Sequence, residues 1–327
     1  MDLEGRDFGM RVWNAFAPIL GLLLAAGCAA SLRTVPQLSQ VEAPVSEPLA
    51  RVIEKAGSNR GELEKALRDA PPAHREGLRF LVENMPDGDL RTLSARFLLE
   101  NTAQAYEALA RAPWKGKIPK ALFLNEVLPY ACLTEERDGS RSFLRGKAAP
   151  LVAGCTSPAE AALRLNRELF NLLDVHYSEK GVRPDQAPFE TIRRGRATCI
   201  GLSVLLVGAC RAVGIPARVA GTPAWTSGRG NGGTHEWVEI WDGDWHFLGA
   251  AEPYSEGLDY AWFNEEASLA LRDHPMHALY ATSFRKTGLQ FPLVWVPQER
   301  WVDAVNVTDR YLAAWKALGP PPPGTWK

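Results

Sequence analysis

The sequence predicts an α+β fold in which a helix with a cysteine at its start packs on an antiparallel sheet, behind an N-terminal all-helical subdomain. Three observations carry that prediction. Residues 49 to 111 place apolar side chains three and four apart, as in "DLRTLSARFLLENTAQAYEALARA". The segment "TCIGLSVLLVGACRAVG" is a continuous apolar run closed by Gly214, the pattern of a buried helix. After it the period drops to two, with "THEWVEIW" and "WHFLG" joined by the hairpin turn "DGD".

Taken in order, the chain of 327 residues opens on "MDLEGRDFGMRVWNAFAPILGLLLAAGC": Arg6 and Arg11, an apolar stretch from Phe16 to Ala26, then small residues. This is a secretory signal, too short for an ordinary membrane span. Its last residues, "LAAGC", resemble a bacterial lipobox, so residues 1–27 are expected to be removed and Cys28 to carry lipid. Ala29 in place of an aspartate points to the outer membrane, facing the periplasm. Residues 28–48 hold three prolines and no period, as suits a tether.

The helical subdomain is set at 49–113, its longest helix with Asp87 or Asp89 as N-cap candidate. The core is set at 114–267. It contains a helix opened by Ser157 and Pro158, the Cys199 to Val213 helix and the "IPARVAGTPAW" strand. Residues 268–317, with "QFPLVWVP" and "WVDAVNVTDRY", are expected to add strands to the sheet, and 318–327 form a proline-rich tail.

Lys plus Arg number 37 and Asp plus Glu 38, with no basic tract interleaved with aromatics, so nothing supports nucleic-acid binding. Histidines show no zinc spacing: "HEWVE" lacks a second histidine, and His274 with His277 has no further ligands, so neither metal nor cofactor is expected. Four cysteines follow Cys28. Cys199 and Cys210 on one helix stand about 16 Å apart along its axis, too far for a bond. Cys132 with Cys155 is the one pairing to entertain.

A cysteine at a helix start has a physical reason to react, because unpaired N–H groups and the helix dipole favour thiolate. Arg193, Arg194 and Arg196 stand just upstream. His235 begins the alternating strand after the glycine-rich loop "SGRGNGG", where its side chain is expected to project toward the cysteine helix as a base.

From about Ala197 to Pro253 this order resembles the transglutaminase-like superfamily of papain-type cysteine enzymes. "TCIGLSVLLVGACRAVGIPARVAG" resembles its cysteine helix and first strand, and "THEWVEIWDGDWHFLG" its histidine strand and hairpin. Outside that core, "LPYACLTEERDGSR", "GAAEP" and "NVTDRY" resemble bacterial transglutaminase-domain lipoproteins. The resemblance implies Cys199 as nucleophile and His235 as its base. Members carry an aspartate where this chain has Gly249, so "GAAEP" is read as a bulge that delivers Glu252 to the imidazole, with Asp259 the next candidate. Gln186 is the candidate oxyanion donor beside the Cys199 backbone N–H, and Trp225 and Trp237 are candidates to line a cleft. The implied chemistry is attack on an amide of a peptide or protein, through a thioester, with hydrolysis favoured over transfer to an amine. The alternative is a non-catalytic binding protein that keeps the fold.

Overall fold

The computed structural model describes residues 49–227, 232–253 and 257–318. The expected signal, Cys28, the tether and the proline tail from 319 lie outside the described residues. Among the described residues no helix is long and apolar enough to cross a membrane.

The N-terminal part is helical, with Leu49–Glu54, Arg60–Asp69, Arg75–Asn84, Asp87–Thr92 and Ala95–Arg111 turning their apolar faces onto one another. Leu63, Leu78, Leu81, Met85, Leu90 and Leu98 are fully buried there. The long helix does not start at Asp87 or Asp89. Backbone turns extended at Leu93 and Ser94, and the Ser94 hydroxyl accepts from the Phe97 N–H at 3.2 Å, capping Ala95–Arg111. The cap expected at Ser157 is present: its hydroxyl accepts from the Glu160 N–H and Pro158 opens a helix that runs to Leu173.

The cysteine helix, Cys199–Ala212, ends where Gly214 adopts a φ of 81°, which lets the Ile215 N–H return to the Cys210 carbonyl at 2.9 Å. It is apolar on every side and is enclosed by the helices Arg141–Leu151 and Pro158–Leu173 and by the sheet. The sheet has five strands in the spatial order Trp245–Leu248, His235–Trp241, Ala217–Thr222, Tyr280–Ser283 and Asp303–Asn306, each pair antiparallel. Residues after 267 therefore supply two of its strands. "QFPLVWVP" makes only a single bridge, Gln290 to Asp303, and "TDRY" begins the helix Thr308–Leu318.

Both faces of the sheet are covered. Val219, Val238 and Ile240 pack on the cysteine-helix side. Ala220, Trp237 and Ala281 face the other way, into an aromatic cluster with Trp225, Phe247, Phe263 and Tyr311. Because neighbouring strand residues project to opposite faces, His235, Trp237 and Glu239 share the aromatic side, whereas Glu236, Val238 and Ile240 share the helix side. Cys132 and Cys155 are both free thiols, so the pairing entertained between them is not formed. Cys132 lies beside Glu135, and Cys155 beside Glu160 and Arg164.

Candidate active site

Cys199 is presented by a short parallel pairing, His176 and Tyr177 against Arg196 and Ala197, which leads through the extended Thr198 into the first turn of the helix. Its sulfur meets the carboxylate of Glu236, to which the thiol donates over 3.5 Å. The same carboxylate accepts from the Thr234 hydroxyl at 2.6 Å, and the Ser203 hydroxyl donates to the Glu236 backbone carbonyl at 3.3 Å. Gly221 stands opposite Glu236 on the next strand, and a Cβ there would come within 2.9 Å of Glu236 Cγ. The missing side chain makes the room that Glu236 occupies.

Burial is the main force on both groups. It pushes the Cys199 thiol well above its ordinary range, and the negative charge of Glu236 pushes it further, so the sulfur rests as a thiol. Burial also raises Glu236 to about 7, against the hydrogen bonds from Thr234 and Cys199.

The hydrogen bond expected between Cys199 and His235 is absent. The cysteine helix covers the face carrying residues 236, 238 and 240, so His235 points into the aromatic side. Its ring centroid lies 4.9 Å from that of Trp262, 5.2 Å from Phe263 and 5.8 Å from Trp237. Its buried Nε2 has no hydrogen-bond partner among the described residues, and burial lowers its pKa to about 3, leaving the imidazole uncharged.

The bulge expected at "GAAEP" is present. Ala251 has a φ of 63°, the Glu252 N–H returns to the Gly249 carbonyl at 3.2 Å, and Asn166 clasps both sides of the turn. A Cβ at position 249 would lie 2.1 Å from Glu252 Oε2. The carboxylate of residue 252 thus fills the space that a side chain at 249 would take. It does not bond His235; both oxygens accept from the Trp262 indole N–H at 3.2 and 3.1 Å, and the same Trp262 ring lies with its centroid 4.9 Å from that of His235.

Asp259 is engaged elsewhere, holding His246 Nδ1 at 2.6 Å and the Phe247 N–H at 3.0 Å. Gln186 is fully buried and its amide donates to the Arg196 carbonyl at 3.3 Å, bracing the segment that feeds Cys199. Trp225 and Trp237 are core residues, stacked 6.0 Å apart, and it is Trp262 that keeps an exposed edge. Sequence reasoning passed over Glu236. Its signal was the two-residue alternation that sets it on the same face as Val238 and Ile240.

Comparison with known families bears on the same segment. The family model of the transglutaminase-like superfamily matches residues 145–264, from within the helix before Pro158 to the start of the last short helix of the aromatic face. Residues 145–264 are a transglutaminase-like domain. The helical part before it and two sheet strands after it lie outside the match. A search of curated proteins finds no match. Among solved structures, the chain is similar to a proposed cysteine protease from Cytophaga hutchinsonii at 21% identity and a TM-score of 0.30, covering 36% of this chain. The chain spans 40% of the length of that protein. Among the described residues no group of three or more His, Cys, Asp or Glu is arranged to hold a metal ion.

The buried carboxyls of the transglutaminase-like domain set a pH dependence. Burial raises Glu236 and Glu252 to about 7, above the ordinary 4.5 of the unfolded chain. Native protein therefore holds these protons longer. Their contribution is complete below the ordinary pKa and is lost as pH rises from about 4.5 through about 7. For Glu236 the loss is on the order of 3 kcal/mol. Glu236→Gln is expected to gain stability relative to wild type between pH 5 and pH 8, read from thermal melts of both proteins at each pH. A difference that stays constant, or moves against the variant, would show that Glu236 ionises normally in the native state.

Proposed function

We propose that the protein is a cysteine enzyme that attacks an amide bond of a peptide or protein and passes the acyl group through a thioester on Cys199. One observation carries this reading: within the transglutaminase-like domain, a free thiol opens a buried helix with its sulfur against a proton acceptor. In this proposal Cys199 is the nucleophile. The resemblance supplies His235 as base, and its uncharged ring with an unpartnered Nε2 is in the form that accepts a proton. His235 is proposed to take the thiol proton and return it to the departing amine, a role that requires the ring to leave the aromatic side it occupies in this state. Glu252 is the proposed orienting carboxylate, a role that requires its oxygens to pass from the Trp262 indole N–H to the imidazole.

Water is the proposed acceptor, making the protein a peptidase or amidase in preference to a cross-linker. The leader and lipobox-like residues support a proposed site on the cell envelope, with lipid on Cys28 as anchor and the protein facing the periplasm. The test uses a peptide library with and without a primary amine. Expected products are free acids, with an acyl adduct on Cys199 in intact-mass spectra of quenched reactions. Conversion to the amide at the expense of the acid would reassign it as a transglutaminase. The absence of a bond between Cys199 and His235 favours a second reading, a non-catalytic binding protein, and that reading predicts no adduct and no turnover.

A further inference from the structure

We propose that Tyr177 and Trp262 form a subsite beside Cys199 that takes a cationic side chain of the substrate peptide, a lysine or arginine close to the amide that is cut. The proposal rests on Cys199 being the nucleophile, which makes the space next to its sulfur the substrate's. The cation is held through its charge and is not attacked. The subsite therefore belongs to the peptide that supplies the acyl group, whichever acceptor resolves the thioester.

Among the described residues, Tyr177 and Trp262 are the tyrosine and tryptophan that reach solvent most, at 58% and 37% exposure, whereas Trp225 and Trp237 are buried. Tyr177 pairs with Ala197, two residues before Cys199, or about 7 Å along the strand at ~3.3 Å per residue. Burial and Glu179 raise the pKa of its phenol, and the charges of Cys199 and Glu252 raise it further, so the phenol stands within electrostatic reach of both. Trp262 gives its indole N–H to Glu252 and lies against His235. Both rings thus border the surroundings of Cys199, one from the strand that feeds it and one from beside the histidine.

The charge around these rings selects the occupant. Each ring donates to a carboxylate, Tyr177 to Glu179 at 2.6 Å and Trp262 to Glu252, and a ring bound to an anion turns a more negative face to a cation. Other carboxylates at the surface are matched by arginine, as Glu64, Glu83, Glu100, Glu107 and Glu160 are. Neither Glu179 nor Glu252 forms an ion pair with a lysine or arginine among the described residues, and the nearby Arg196 guanidinium is turned toward Gly181. Glu252 keeps its charge in this space whether it holds the indole or the imidazole. An acidic side chain would meet two carboxylates here, and an aliphatic one would leave both unmatched.

The test takes a peptide that the full chain cuts and varies one residue near the amide among lysine, trimethyllysine, norleucine and glutamate, with kcat and KM measured for each. Lysine is expected to lower KM about 10-fold relative to norleucine while kcat changes little. Trimethyllysine should keep that advantage, because it keeps the charge but has no amine to act as acceptor. Glutamate should bind worst. In 1 M salt the lysine advantage should shrink, while the norleucine KM moves little. Tyr177→Ala should reduce the lysine-to-norleucine ratio about 5-fold, and Glu179→Gln about 3-fold. Both side chains are exposed, so melts of these variants should match wild type.

A norleucine peptide cut as well as its lysine counterpart would overturn the proposal, and so would a lysine advantage that survives both Tyr177→Ala and Glu179→Gln. Failure of the underlying reading looks different: no peptide would turn over and no acyl adduct would form on wild-type Cys199. Anisotropy titration of the fluorescein-labelled peptides against Cys199→Ser separates the two. Tighter binding of the lysine peptide there supports the subsite whether or not wild type turns over, and equal binding of all four overturns it.

Discussion

Cys199→Ser is expected to leave a folded protein with no measurable amide turnover. Serine keeps a donor for the Glu236 carboxylate, so the contact that seats residue 199 survives, and Thr198, the backbone that starts the helix and Ser203 are untouched. A melting temperature within a few degrees of wild type follows. The alkoxide needed for attack is far harder to form than a thiolate. Loss of an enzymatic nucleophile lowers kcat by roughly 10³-fold or more, and the acyl adduct should vanish from intact-mass spectra of the variant. Turnover retained above a tenth of wild type in Cys199→Ser would remove Cys199 as the nucleophile. Cys199→Ala gives the complementary control. It also removes the donor, so Glu236 Oε2 is left with no partner in a buried site and this variant should melt lower than the serine one.

The same neighbourhood shows which parts of the site the sequence could disclose. The cysteine helix was legible because a long apolar run ended by glycine has few other uses. The bulge at residues 249–252 was legible because a carboxylate displaced along the chain needs an extra turn to reach the same space, and Gly249 leaves that space empty. The side of the sheet on which His235 lies was not legible. In "HEWVEIW" the first six residues are all buried, so polarity does not alternate with burial and either face reads as the inner one. Only the packing of the cysteine helix breaks the tie, and it selects the even-numbered residues. The spacing of His235 from Cys199 matches a familiar order, but spacing carries no information about face.

Asp259 shows a related limit. Its engagement with His246 joins residues thirteen apart through a left-handed turn at a φ of 67°, which no local pattern announces. The helical part behaved differently. Its apolar spacing placed the helices, but the N-cap moved to Ser94 because the Asp87–Thr92 helix closes on its own before the chain extends at Leu93.

Arg141→Met is expected to produce the largest loss of stability in the molecule, about 3–5 kcal/mol, the usual result of stripping the partner from buried polar groups. Arg141 opens the helix Arg141–Leu151 and is 9% exposed. Its guanidinium donates to Asn101 at 2.8 Å and to the carbonyls of Arg211, Val127, Leu128 and Pro129 at 3.1, 2.9, 3.1 and 2.6 Å. These acceptors come from the helical part, from the turn that follows the Phe123–Val127 segment and from the end of the cysteine helix. One side chain therefore ties together the three pieces that hold the cysteine helix in place. Arg211 gathers Pro129 and Ala131 at 3.4 and 2.8 Å, so the segment is held by two cations. Methionine fills the volume but donates nothing. For a domain of this size the loss should lower the melting temperature by about 10 °C. Arg141→Lys keeps a charge but loses the planar fork that reaches five acceptors at once, and should recover less than half of the difference. Because the loss acts on the end of the helix remote from Cys199, alkylation of Cys199 in the surviving folded fraction should keep its pH profile. A Met variant that melts with wild type would mean that the 127–129 carbonyls find other donors, and that this segment does not anchor the nucleophile's helix.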